Sequence, residues 1–198
     1  YKYTWLTSEE FGFVRQCELV NLSDKPVNVE LIDGFQNILP AGTPRFTQTN
    51  SSNLVDAYKW TELDESSGLA FFTVYSGITD RAEPCESLKT NTVFCSGLAQ
   101  SKILLSSEQL ANFRTGTPVQ QETHKRGIRG AFLVNSTITL EPFDKKGWQF
   151  VANIEQSQSQ ATALRSQLSE TAKLENNIRT SIADGSDNLA RIMATADG

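Results

Sequence analysis

The feature that most constrains this chain is a change of period. From Tyr1 to about Ile154 apolar residues recur every second position, and from about Glu155 to Ala196 they recur at helical spacing. Period two marks strands with one buried face, and the helical period marks an amphipathic helix. Many short strands with no long helix between them predict antiparallel sheets packed as a sandwich. The expected fold is therefore mostly β: an antiparallel β-sandwich over 1–154, followed by a helical linker over 155–198.

Within the first regime, Tyr1, Tyr3 and Trp5 alternate with polar residues. Phe13, Arg15, Cys17 and Leu19 share one strand face, and Val27, Val29 and Leu31 line another. The turn Asn21-Leu22-Ser23-Asp24-Lys25-Pro26 between them carries residues suited to a tight connection, so the pair reads as a hairpin. Tyr58–Leu63 and Leu69–Tyr75 flank Glu65-Ser66-Ser67-Gly68, which predicts a second hairpin. A helix over Leu54–Leu63 is the rival, and the β-prone Tyr58, Trp60 and Thr61 favour the strand. Ser107–Phe113 suits a helical turn. Gly130–Leu140 and Trp148–Ile154 read as strands of a third hairpin, punctuated by Pro142 and Gly147.

In the second regime Leu164, Leu168, Ala172, Leu174, Ile178 and Ile182 form an apolar stripe opposite Arg165, Gln167, Glu170, Lys173, Glu175 and Arg179. Asp184-Gly185 is expected to end this helix, with Ser186 or Asp187 capping a short successor. The stripe must lie against the sandwich or against a neighbour. The chain opens at Tyr1 and its single methionine is Met193, which fits loss of an initiator methionine or a signal peptide and equally fits excision from a larger protein.

Composition narrows the function. A net charge of −5 disfavours nucleic acid, which needs a basic face; Lys125, Arg126 and Arg129 read as a solvated strand end. No apolar run reaches the roughly 20 residues that span a bilayer. Cys17, Cys85 and Cys95 lack metal-ligand spacing. Cys17 reads as a buried thiol. Cys85 and Cys95 have the option of pairing, but reduced cytoplasmic thiols are expected. The sequons at Asn21, Asn50 and Asn135 read as chance occurrences in polar turns.

Signatures of catalysis are thin. The single histidine, His124, sits among charged neighbours in what reads as an exposed loop, and no serine elbow accompanies it. Asp33, Asp56, Glu62, Asp64 and Asp80 supply carboxylates, but glycoside cleavage needs two of them about 5 to 10 Å apart across the bond. Gly12, Gly34, Gly42 and Gly116 stand alone and build no phosphate cradle. No catalytic residue, metal ligand or cofactor is assigned.

Asp33–Trp60 is long, polar and punctuated, and such connections are often functional. Gln36, Asn37, Arg45, Asn50, Asn53, Asp56, Tyr58 and Trp60 are its candidate carbohydrate contacts: the polar groups to bond hydroxyls, the aromatics to stack on a pyranose. The alternative is that Asn and Ser serve turns while the aromatics fill the core.

Several pieces together carry a family resemblance. They are Trp5-Leu6 with Gly12-Phe13-Val14-Arg15, the Asn21–Leu31 strands, Asp33-Gly34-Phe35-Gln36-Asn37-Ile38-Leu39-Pro40, Ser52–Lys59, and the Trp148–Ile154 strand with its following helix. This layout resembles the later half of the N-terminal β-sandwich, of the supersandwich or galactose-mutarotase-like kind, and the linker helix of cellobiose-phosphorylase-like proteins (glycoside hydrolase family 94). The resemblance implies a non-catalytic fragment of a carbohydrate-active protein, with the catalytic acid in a following (α/α)-barrel. It also implies that barrel as a partner within the same parent chain, a homodimer in the parent, oligosaccharide contact at the sandwich, and a cytoplasmic setting. Its motifs are structural, so no catalytic residue carries over.

Overall fold

The computed structural model describes residues 1–75, 88–99 and 101–196. Among them the period-two region forms two antiparallel sheets. The larger sheet runs β1 (Lys2–Ser8), β2 (Gly12–Val20), β10 (Lys145–Ser157), β6 (Lys89–Ser96), β5 (Leu69–Val74), β4 (Lys59–Asp64) and β8 (His124–Arg126). The smaller runs β3 (Val27–Ile38), β9 (Gly130–Leu140) and β7 (Lys102–Leu104). Their facing sides enclose Phe72, Val93, Phe132, Leu140, Trp148 and Phe150. Each such side chain contributes roughly 1.5–3 kcal/mol on leaving water.

The hairpin β4–β5 forms where the sequence places it, in register from Lys59↔Val74 to Asp64↔Leu69. Gly68 closes its turn at a φ of 71°. The rival helix exists one step earlier, as α2 (Ser52–Ala57).

The other two expected hairpins do not form. β2 pairs with β1 and β10, while β3 pairs with β9 in the opposite sheet; β9 and β10 are likewise split between sheets. Alternation shows which residues face inward, but not which sheet a strand joins. The two crossings, 21–26 and 141–144, are zipped together by Asn21, which is 5% exposed. Its Nδ2 donates to the carbonyls of Lys25 (2.7 Å) and Glu141 (3.0 Å), and its N–H to Asp144 (2.9 Å).

The helical tail also differs from its sequence pattern. β10 continues to Ser157, where a capping box begins α4 (Gln158–Leu168). There Ser157 Oγ accepts from the Gln160 N–H (3.3 Å) and Gln160 Oε1 from the Ser157 N–H (2.9 Å), satisfying two donors a helix start leaves free. The chain breaks at Ser169–Glu170, and α5 (Thr171–Ala196) then runs through Gly185. Ser186 does not cap: its hydroxyl bonds the Ile182 carbonyl one turn back (3.0 Å). Ala172 is exposed. Leu164, Leu174 and Ile178 are buried with Phe11, Val14, Leu69, Phe94 and Val151 on the outer face of the larger sheet, flanked by Leu168 and Ile182. The helices are thus a third layer, and the stripe covers the sandwich itself. On the far side, α3 (Leu110–Arg114) brings Leu110 and Phe113 over Leu104, Ala131 and Leu133 of the smaller sheet.

Candidate functional site

The segment expected to be an open polar loop is mostly ordered structure. β3 carries Gln36 and Asn37, both exposed, with Asn37 at a φ of 56°. Arg45 and Asn50 lie exposed on α1 (Arg45–Asn50), where Asn50 Nδ2 caps its own helix at the Phe46 carbonyl (2.9 Å). Asn53 is exposed on α2, and Tyr58 closes that helix.

Asp56 turns inward. It accepts from Lys59 Nζ at 2.8 Å and Gln48 Nε2 at 3.3 Å, with Arg129 Nε at 3.5 Å. Lys59, only 3% exposed, also donates to Gln48 Oε1. This network fastens both short helices to β4. Burial acts to raise the Asp56 pKa, but the hydrogen bonds from Lys59 and Gln48 outweigh it and hold the carboxyl below its usual value. Lys59 and Trp60 are consecutive on a strand, so their side chains take opposite faces. Asp56 and Trp60 therefore do not line one site, and the eight predicted residues are not gathered together.

What the structure gathers around Trp60 is a different set. The Arg126 guanidinium lies 3.3 Å from the indole centroid, the Tyr75 ring runs parallel at 6.0 Å and 4°, and His124 meets it edge-on at 5.2 Å. Arg126 Nε donates to His124 Nε2 at 2.9 Å. His124 is exposed as expected, but on strand β8 rather than a loop, directly across from Glu62. Tyr75 is 74% exposed, and Trp60 Nε1 is buried with no hydrogen-bond partner among the described residues. Trp60 is thus a wall rather than a bare platform; Tyr75 offers the open ring. Such a surface stacks on a ligand and donates hydrogen bonds to it. Strands β4, β5 and β8 converge only after folding, so no local motif announced it. The aromatic type of Trp60 was the one available signal.

The remaining basic residues are not simply solvated. Lys125 bonds Glu108 and lies 3.2 Å from Glu122, and the Glu108 hydrogen bond raises its pKa.

Asp33 and Asp64, like Asp56, are occupied by their own fold. Asp33 accepts from Arg15 Nη2, the Gly34 N–H (2.8 Å), Tyr1 Oη (3.0 Å) and Trp148 Nε1 (2.8 Å). Asp64 binds Ser66, Ser67 and Arg165, tying the β4–β5 turn to α4. Burial pushes Asp64 upward, but these bonds prevail and lower it. Asp80 lies outside the described residues, as does Cys85 and with it any pairing to Cys95. Cys17 and Cys95 are free thiols whose pKa values burial raises. Among the described residues no cluster of three or more His, Cys, Asp or Glu is placed to hold a metal ion, and no helix is long and apolar enough to cross a membrane.

A second surface opens between the sheets beside edge strand β1. A groove of about 740 Å³ is lined by Trp5, Phe13, Phe35, Ile38, Leu39 and Ile154, with Asn37 among its few polar groups. Trp5 stacks on Phe35 at 5.3 Å and remains 53% exposed; Phe13 and Ile154 are 46% and 55% exposed. Set against known proteins, the chain matches no family model and no curated protein.

Proposed function

We propose that this chain is a non-catalytic β-sandwich of a larger carbohydrate-active protein, which supports a catalytic barrel and the parent's dimer and contacts oligosaccharide through the Trp60–Tyr75 surface. The observation that carries the reading is that cluster: an exposed tyrosine ring parallel to a tryptophan, edged by Arg126, His124 and Glu62. Aromatic rings for a pyranose face and charged groups for its hydroxyls are what sugar recognition asks of a surface. The engagement of Asp33, Asp56 and Asp64 in structural bonds favours support and binding over bond cleavage. The free, buried thiol of Cys17 fits the reducing cytoplasm this reading assigns.

The test is a titration of α- and β-linked gluco-oligosaccharides into isotope-labelled protein, following amide shifts. Saturable shifts around Trp60, Tyr75 and His124 are expected, and Tyr75→Ala should weaken binding at least tenfold. Silence across the panel, or undiminished binding in both Tyr75→Ala and Trp60→Ala, refutes the assignment.

A further inference from the structure

The fold buries the Thr92 hydroxyl without giving it a use. Thr92 and Phe94 alternate on β6, so they share the sheet face on which Phe94 packs with Leu164, Leu174 and Ile178 of the helices. Phe71 on β5 and Asn153 on β10 stand level with Thr92. Thr92 is 1% exposed, yet its Oγ1 has no hydrogen-bond partner among the described residues. Thr90, two residues earlier on the same face, bonds the Phe72 carbonyl at 3.3 Å. An unpaired hydroxyl is costly to bury, and valine has the same shape without that cost. A threonine at this position points to a group outside the chain that meets it.

That face carries a pocket of about 170 Å³ between the sheet and α4, and Thr92 lines it. Phe11, Phe94 and Val151 give it an apolar side. Gln160, Ala163 and Gln167 enter from α4, spaced three and four apart so that they share one helix face. Glu10 stands in the β1–β2 turn, where Asn153 Nδ2 donates to its carbonyl at 2.8 Å. Gln160 spends its Oε1 on the capping box, which leaves Nε2 as a donor. The polar groups left for a ligand include the Thr92 hydroxyl, the Gln160 and Gln167 carboxamides and the Glu10 carboxylate. No lysine or arginine stands among the described lining residues.

Hydroxyls and carboxamides both donate and accept, which matches a ligand built of hydroxyls. With no cation in the lining, nothing offsets the desolvation of an anionic ligand. At roughly 30 Å³ per water the volume holds about six waters, the size of a three- or four-carbon polyol and too small for an oligosaccharide. We propose that the pocket binds such a small neutral polyol, with one hydroxyl paired to Thr92 Oγ1 and others to Gln160 and Gln167. The ligand bridges α4 and the sheet, so its binding stabilises the docked helical layer. The site lies on β6 and β10 beneath α4, apart from the Trp60 cluster of β4, β5 and β8, and it does not depend on the sugar reading given to that cluster.

Titration of glycerol and of erythritol into the isotope-labelled full chain, followed by amide shifts, tests it. Saturable shifts at Thr92, Asn153 and Gln167 are expected, with half-saturation on the order of 1–10 mM for so few atoms. Glycerate, similar in size but anionic, should bind at least tenfold more weakly. Thr92→Val should weaken polyol binding at least tenfold without lowering the stability of the unliganded protein. Ala163→Leu, made at an exposed helix position, should fill the pocket and abolish binding. Shifts that rise without saturating, or that fall only around Trp60 and Tyr75, overturn the proposal. So does wild-type affinity in either variant, or equal binding of glycerate. A Thr92→Val protein clearly less stable than wild type overturns it as well, since the hydroxyl would then be satisfied within the fold or by water alone.

Discussion

Removing the Asp33 carboxylate should be the most destabilising single truncation of a polar side chain near β1. Arg15 and Asp33 keep only 11% and 16% of their side-chain surface exposed. The guanidinium is enclosed by Tyr3, Trp5, Phe35 and Phe150, with ring centroids 4.8 to 5.9 Å away. In Asp33→Ala that cation stays buried without its counter-charge, and Trp148 Nε1 and the Gly34 N–H lose their acceptor. Breaking one side of a buried pair costs about 3–5 kcal/mol. For a chain of 198 residues each kcal/mol lowers Tm by about 2–4 °C, so a fall of roughly 10 °C is expected. Asp33→Asn keeps an acceptor for Trp148 and should lose about half as much. Arg15→Met/Asp33→Leu removes both charges and should recover part of the loss, leaving mainly the orphaned donors at about 1–3 kcal/mol. Urea unfolding followed by tryptophan fluorescence, with unchanged m values, measures each variant. An Asp33→Ala protein within about 1 kcal/mol of wild type, or a double variant no more stable than the single, would refute the reasoning.

Two further outcomes follow from the same structure. Gly34→Ala should prevent folding or cost on the order of 4 kcal/mol, because a Cβ there would sit 2.0 Å from the Phe132 carbonyl oxygen at a φ of +150°; soluble, cooperatively unfolding Gly34→Ala protein at wild-type stability would contradict it. Stability should also fall in acid. Asp56 and Asp64 are held below their ordinary pKa in the folded state, so the unfolded chain takes up protons first as pH drops below about 4. Their contribution is complete above that value and is lost as pH falls through the folded pKa. Urea midpoints from pH 6 to pH 3 should show this fall, and Asp56→Asn/Asp64→Asn should flatten it.

The sequence displayed the layers more clearly than their connections. Alternation in Phe13–Leu19 and Val27–Leu31 marked residues that share a strand face, because period two depends only on the pleat, but it did not show that β2 buries Val14 on its other face, beneath the helices. It was silent on pairing. Whether a six-residue turn returns to the same sheet or crosses to the other is decided at a distance, here by Asn21 reaching carbonyls on both sides of the second crossing. The helix end failed for a related reason. Glycine permits a left-handed stop but does not impose one, and with Ser186 bonded back to Ile182 the helix continues.

The predicted sugar contacts divide along the same line. Trp60 was legible as an aromatic able to stack on a sugar, whereas Tyr75, His124 and Arg126 join it from two other strands. Asp56 was chosen in sequence as a polar group of a polar segment; burial of Lys59, three residues on, converts the aspartate from a ligand into a clamp. Residues chosen by type in a polar segment are therefore weak guides to a site, since the fold draws on the same types to hold its own loops. The stronger indication is a group that folding leaves without a use: the open Tyr75 ring, the Trp60 Nε1 that has no partner among the described residues, and the apolar stripe of α5 carried past the last atom it covers.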